Sequence, residues 1–368
     1  MRDGFVKAAA VTVPVRVADP AANAESIKKR IAEAAENHAK IIVCQELCIT
    51  GYTCQDLFYQ ETLLTAAKNA LLDIAAFTKD LDALAFVGLP LEVEGKLYNV
   101  AAALNRGEIL GFVPKRNLPT YNEFYEKRQF TEGCREARDI VFGDRVIPFG
   151  SNILFESTAV PGLMVGCEIC EDAWVTETPS MSAARAGANL IVNLSASDEI
   201  IGKDDFRRLM IQALSARLVS GYAYASAGEG ESSQDLVFGG HNIIARNGAL
   251  IAESALFTNG ITYAVIDIEK LNIERGRMNT FESSDEEYLK IPFSLKVTET
   301  QIDKKPERFP FVPDDEGKRA RRCEEVLSIQ SMGLKKRLEH INAKHAVIGI
   351  SGGLDSTLAL LVTVRAFD

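Results

Sequence analysis

"VGCEICEDAW", residues 165–174, runs from an apolar stretch into two acids and the only tryptophan of the chain, with Cys167 and Cys170 three apart. Three readings compete for it: a metal or redox CxxC pair, two inert thiols at a buried strand end, or the seat of a nucleophilic cysteine. If "GLMVGCEIC" (162–170) is a strand, successive side chains alternate. Cys167 and Cys170 then point to opposite faces, which suits neither a shared metal nor a disulfide. The strand reading also decides the fold, because this run is one of a series.

Upstream stand "FVKAAAVTV" (5–13), a helical pattern at 24–39 with Ile27, Ile31, Ala34 and Ala35 on one face, and "IIVCQEL" (41–47). A helix near 56–80, a strand "LAFVGLP" (84–90) and a hairpin from "LYNVAAAL" (97–104) through "NRGE" to "ILGFVPK" (109–115) follow. Downstream come strands "NLIVNLSAS" (189–197) and "GYAYASAG" (221–228), with helices at 180–187 and 204–220. A strand pair turning at Asn247-Gly248 and a last strand "TYAVIDIE" (262–269) complete the series. Strand-like runs alternating with helical ones predict an α/β domain over 1–270.

Residues 271–315 are rich in charge and proline and weak in periodicity, the composition of a connector. From 316 an amphipathic helix carries Ala320, Cys323, Leu327, Leu334, Leu338 and Ile341 near one face. A strand "HAVIGI" (345–350), the turn "SGGLDST" (351–357) and a helical 358–368 come after it. These pieces are too few to bury a core, so 316–368 reads as the start of a second, truncated α/β domain.

With 47% apolar and 25% charged residues the chain has the composition of a soluble globular protein. Its formal charge of −10 argues against nucleic acid and for a small-molecule substrate. Lys7, Pro14 and Arg16 break the first apolar run, so neither a signal peptide nor a membrane span is expected. Seven cysteines, odd in number and near apolar runs, suit a reducing, cytoplasmic setting. The four histidines lack metal-site spacing, and no metal site is expected.

Glu46 follows "IIVCQ", Lys115 follows "ILGFVP" and Cys170 ends its own run, so three strand ends supply a carboxylate, an ammonium and a thiol. Open α/β sheets collect chemistry at that edge. A thiolate attacks, a carboxylate serves as general base, and an ammonium steadies an oxyanion. On pattern alone, structural ion pairs and loop solvation explain such residues equally well.

"CQELCITGY" (44–52), "VPKRNLPTYNEFYEKRQF" (113–130) and "GCEICEDAW" (166–174) resemble the three catalytic segments of the nitrilase, or carbon–nitrogen hydrolase, superfamily in order and rough separation. The resemblance implies a four-layer αββα sandwich with Glu46 as general base, Lys115 as oxyanion-stabilising cation and Cys170 as nucleophile. Cys167 has no matching role and is assigned to packing. The family commonly has proline where this chain has Gln45, which bears on the turn carrying Glu46.

"SGGLDST" lacks the lysine of a Walker A loop and is similar to the pyrophosphate loop of ATP pyrophosphatases. That likeness implies phosphate contacts from Ser351, Gly352, Gly353 and Ser356, with Asp355 near metal or nucleotide. A nitrilase-type domain followed by this loop resembles the glutamine-dependent NAD synthetase family. The family implies L-glutamine as amide substrate, with no cofactor for that step, and ATP with Mg2+ for amidation of deamido-NAD in a complete second domain. It also implies a homo-oligomer with neither nucleic acid nor membrane as partner. Tyr52, Tyr121, Phe124, Glu171, Ser197 and Lys203 match positions lining the glutamine pocket. Two rivals remain: a stand-alone amidase for another small amide, and a non-catalytic binding module whose Cys170 is buried and unreactive.

Overall fold

In chain order the elements are β1 (Phe5–Thr12), α1 (Pro20–Glu36), β2 (Ile41–Cys44), α2 (Glu61–Phe77), β3 (Leu84–Val93), β4 (Lys96–Asn105), β5 (Glu108–Pro114) and α3 (Glu126–Gln129). Then follow β6 (Arg138–Phe142), β7 (Arg145–Phe149), β8 (Ile153–Ser157), β9 (Met164–Ile169), α4 (Pro179–Arg185), β10 (Leu190–Ser195), α5 (Lys203–Arg217) and β11 (Gly221–Ser226). The remainder are β12 (Ile243–Arg246), β13 (Ala249–Glu253), β14 (Gly260–Asp267), α6 (Ile268–Arg277), β15 (Leu289–Phe293), α7 (Glu316–His340) and α8 (Leu354–Phe367). This computed structural model describes residues 1–283, 286–302, 309, 311–313 and 315–368. It falls into two units, Met1–Gln301 and Ile302–Asp368.

The strands of the first unit form two mixed sheets, ordered β14-β1-β2-β3-β4-β5-β7-β6 and β13-β12-β11-β10-β9-β8-β15. Period-two alternation sorts their side chains into layers. Ala8 and Ala10 of β1, Ile41 and Val43 of β2, Val165 and Ile169 of β9, and Leu190, Val192 and Leu194 of β10 join one buried cluster between the sheets. The opposite faces take helices: Ala9, Val11 and Ile42 pack with Ile27 and Ile31 of α1 and Leu71 and Ile74 of α2. On the second sheet Ile191, Tyr222 and Tyr224 pack with Ala183 and Ala184 of α4 and Ile211 and Leu214 of α5. Helix, sheet, sheet, helix: the unit is a four-layer αββα sandwich, as the resemblance implied.

Local chemistry places the ends of these elements. Asp19 accepts the Ala22 N–H at 3.1 Å and Pro20 opens α1, the expected pair for a helix start. Arg106-Gly107 and Asn247-Gly248 carry positive φ at both central positions, which two-residue hairpin turns of matching twist require. The second of these is the turn the sequence announced.

Two expectations fail. The stretch 271–315 is not a plain connector where it is described, because α6 extends to Arg277 and β15 pairs in parallel with β8. Phe293 buries its ring in the core between the sheets, which short-range periodicity over a lone five-residue strand does not reveal. Residues 284, 285, 303–308, 310 and 314 of that stretch lie outside the described residues. In the second unit "HAVIGI" is not a strand; Val347 is fully exposed there. A strand needs a neighbour for its N–H and C=O groups, and none is described for these residues. That unit holds α7 and α8, tied by Arg365 Nη1 donating to Glu324 Oε2 at 3.1 Å.

Candidate active site

β2, β5 and β9 end at the same rim of the sandwich and deliver Glu46, Lys115 and Cys170. Past β2 the chain turns sharply, with Leu47 at φ +50°. Gln45 pins this turn: its Nε2 donates to the Val13 carbonyl at 2.6 Å and its Oε1 accepts the Val13 N–H at 2.9 Å. A glutamine therefore fixes by hydrogen bonds what the family commonly meets with proline. Gly88 of β3 makes room, since a Cβ there would stand 2.3 Å from the Leu47 nitrogen.

Glu46 and Lys115 are both fully buried, and a buried charge must be paired. Lys115 Nζ donates to Glu46 Oε1 at 2.7 Å and to Glu126 Oε1 at 2.5 Å. Glu46 Oε1 also accepts Asn99 Nδ2 at 2.6 Å, and its Oε2 accepts the Ala196 N–H at 2.8 Å. Tyr52 OH donates to Glu126 Oε1 at 2.9 Å. Burial alone would push the lysine down; Glu126 and Glu46 more than reverse this and hold it well above the ordinary range, as an ammonium. Burial pushes the Glu126 carboxyl up to about 7, with Lys115 opposing.

Cys170 is the first residue of a short turn, not the last of the strand, and its φ of +45° is left-handed. Such a conformation costs on the order of 1–3 kcal/mol for a residue with a side chain and persists only where its surroundings over-determine it. Asp172 does much of that: it accepts the Ile169 N–H at 3.1 Å and, from the loop after Lys115, the Asn117 N–H at 2.9 Å. One buried carboxylate thus ties the cysteine turn to the lysine loop. The turn also corrects the opposite-face expectation, since Cys167 and Cys170 join the same cluster between the sheets, both as free thiols. Burial pushes the Cys170 thiol up, Glu46 adds to this, and Lys115 opposes it.

Of the six pocket candidates, Tyr121 OH donates to Glu171 Oε1 at 2.9 Å and its ring meets Phe124 edge-on at 6.2 Å. Lys203 Nζ lies 5.7 Å from the centre of the Phe124 ring, 5.6 Å from that of Trp174, and pairs with Asp198. Tyr52 packs edge-on against Phe238 at 5.9 Å. Ser197 is turned to Arg207, whose Nη2 donates to its Oγ at 3.1 Å. Sequence reasoning passed over Glu126, Asn99, Asp172 and Asn193. Glu126 and Asp172 had a signal, as acids inside the quoted lysine and cysteine segments; Asn99 and Asn193 had none beyond polarity.

In the second unit the "SGGLDST" turn runs straight into α8. Ser351 Oγ lies 3.3 Å from Ser356 Oγ, and Ser356 Oγ donates to the Gly353 carbonyl at 3.0 Å. Gly352 stands at φ +82°, and Asp355 occupies the first turn of the helix.

Residues 7–272 match the carbon-nitrogen hydrolase family, and the chain belongs to it. Residues 326–368 match the NAD synthase family. The chain is 42% identical over 376 residues to the glutamine-dependent NAD(+) synthetase of Mycobacterium tuberculosis, covering 99% of this chain and 55% of that protein. It is 29% identical to the enzyme of the same name from Aquifex aeolicus, covering 95% and 57%. The chain thus spans about half the length of the curated relatives it matches. Among solved structures, a glutamine-dependent NAD(+) synthetase from Cytophaga hutchinsonii aligns with TM-score 0.64 and 24% identity over 98% of this chain and 51% of that one. An amidase from Nesterenkonia aligns at 0.57 and 21% over 76% and 98%. Likeness at these identities speaks for the fold. Among the described residues no helix is long and apolar enough to cross a membrane.

Proposed function

We propose that this chain hydrolyses L-glutamine at Cys170 and supplies the ammonia for ATP-dependent amidation of deamido-NAD, the work of a glutamine-dependent NAD synthetase. The observation that carries the reading is the buried Glu46–Lys115–Glu126 cluster beside a strained Cys170 turn.

Glu46 takes the thiol proton as Cys170 Sγ attacks the carboxamide carbon. Lys115 and the backbone N–H after the nucleophile steady the oxyanion. The tetrahedral intermediate collapses, the C–N bond breaks and Glu46 returns the proton to the departing ammonia, leaving a thioester. Glu46 then deprotonates a water that attacks the thioester; glutamate leaves and the thiol is restored. Only protein groups act in this half-reaction. Tyr52, Tyr121, Phe124, Glu171, Ser197 and Lys203 line the glutamine pocket in this reading.

For the second half-reaction, hydroxyl and backbone N–H donors at the start of α8 suit phosphate oxygens. Ser351, Gly352, Gly353 and Ser356 would hold the pyrophosphate of ATP. Asp355 offers one carboxylate, so Mg2+ would be shared with the phosphates, and the metal would neutralise their charge. The reading includes a cytoplasmic homo-oligomer, and seven free thiols support the reducing compartment.

The test is ammonia and glutamate release from L-glutamine, with Cys170→Ala and Cys167→Ala beside the native chain. Release lost only in Cys170→Ala is the expected result. Turnover of other small amides in preference to glutamine would replace this reading with that of a stand-alone amidase.

A further inference from the structure

β9 and β10 pair in parallel up to Ile169 opposite Leu194 and then part. From that point the two ladder groups on either side find new partners. The Cys170 N–H donates to Asn193 Oδ1 at 3.2 Å, so a side chain of β10 accepts this donor where the ladder has ended. The Ser195 carbonyl accepts the Glu46 N–H at 3.3 Å, while the next N–H, of Ala196, binds the Glu46 carboxylate. The end of β10 thus grips the proposed nucleophile through Asn193 and the proposed base through Ser195 and Ala196.

Asn193 is itself held from behind. Ser195 Oγ donates to its Oδ1 at 2.7 Å, and its Nδ2 donates to Tyr222 OH at 3.1 Å. Tyr222 OH donates in turn to Glu168 Oε1, and Glu168 Oε2 accepts the Ser180 N–H at 2.8 Å. Every member of the chain is buried, on a sheet face otherwise packed with apolar side chains against α4 and α5. A polar chain in such a place is costly unless each group is satisfied, and here each link aligns the next. The amide of Asn193 has one orientation that meets both neighbours, with Oδ1 towards the Cys170 N–H and Nδ2 towards Tyr222.

We propose that Asn193 is a positioning residue for Cys170, with Tyr222 and Glu168 fixing its amide orientation from the outer face of the second sheet. The inference rests on the glutaminase reading above for its kinetic readout. It acts on the geometry of the thiol, not on contact with substrate, so kcat falls and KM holds. Misplacing a reacting atom by about an ångström costs about a hundredfold.

The experiment uses the 368-residue chain and two readouts: glutamine turnover, and the rate of Cys170 carbamidomethylation by iodoacetamide, followed by peptide mass. Asn193→Leu should lower kcat about a hundredfold and Tyr222→Phe about tenfold, each with KM within about twofold. Glu168→Leu should resemble Tyr222→Phe, whereas Glu168→Gln, which keeps an acceptor for one of the two donors, Tyr222 O–H and Ser180 N–H, should fall between Glu168→Leu and the native chain. Alkylation rates should fall in the same order. A rise in KM at unchanged kcat, or Glu168→Gln as poor as Glu168→Leu, would overturn the proposal. If the native chain ignores glutamine, the function proposed above fails, and alkylation alone decides: equal rates in native chain and Asn193→Leu sink the positioning role.

Discussion

The turn at Cys170 and the turn at Ser351–Ser356 are both a few residues long and both were readable as motifs, yet they are held by opposite means. The Cys170 turn is tied to Asn193 and, through Asp172, to Asn117, and Glu46 beside it takes a bond from Ala196, 150 positions away in sequence. The serine turn closes on itself, every one of its hydrogen bonds reaching a residue at most five positions away. The first is buried and charged; the second is largely exposed. A site that must keep an ammonium between two carboxylates dry needs a whole sandwich around it, whereas the serine turn, proposed above to meet phosphate oxygens, is closed by local geometry.

That contrast can be broken most forcefully at Lys115. Lys115→Met leaves Glu46 and Glu126 buried without their cation, so glutamine hydrolysis should vanish and stability should drop by about 3–5 kcal/mol in urea unfolding. Survival of the fold at native stability would mean that the cluster is not the electrostatic centre described here. Gly88→Ala is the next test. A methyl driven against the Leu47 nitrogen displaces the Glu46 turn, and kcat should fall by at least about tenfold while the melting temperature drops modestly.

A smaller effect separates the regions by pH. The Glu126 carboxyl moves from 4.5 to about 7 on folding, so the folded chain holds this proton more tightly than the unfolded one. Its contribution to stability is complete below about 4.5 and is lost as pH rises through about 7. Stability of the native chain minus that of Glu126→Gln should therefore decline across that window; a flat difference would reject the shift. The smallest effect is expected in the serine turn. Ser356→Ala should change stability by no more than about 0.5 kcal/mol and leave glutamine turnover as it was, because its bonds are local and wet.

How much of this was open to a reader of the sequence depends on the range over which each signal acts. Short β-rich apolar runs exposed β1, β2, β9, β10 and β11, and the Asn247-Gly248 turn exposed its hairpin, since these follow from neighbours in sequence. β15 stayed hidden because its worth lies in pairing with β8, more than a hundred residues earlier. The supposed strand at 345–350 shows the converse: β-prone residues do not make a strand without a partner.

Glu46, Lys115 and Cys170 stood out by residue type and by their places after apolar runs, but it was the family resemblance, not the pattern, that gave them their expected roles. The sequence by itself determined the α/β rhythm, the strand-end carboxylate, lysine and thiol, and the glycine-rich turn at 351–357, because these depend on local pattern and on the chemistry of each side chain. Only the tertiary structure decided that Lys115 has a second carboxylate in Glu126, that Gln45 serves where a proline is common, and that the end of β10 holds both Cys170 and Glu46. The reason is physical: the bonds that pair a buried charge or hold a left-handed turn come from segments far apart in the chain, and no local pattern encodes which of many polar residues will meet.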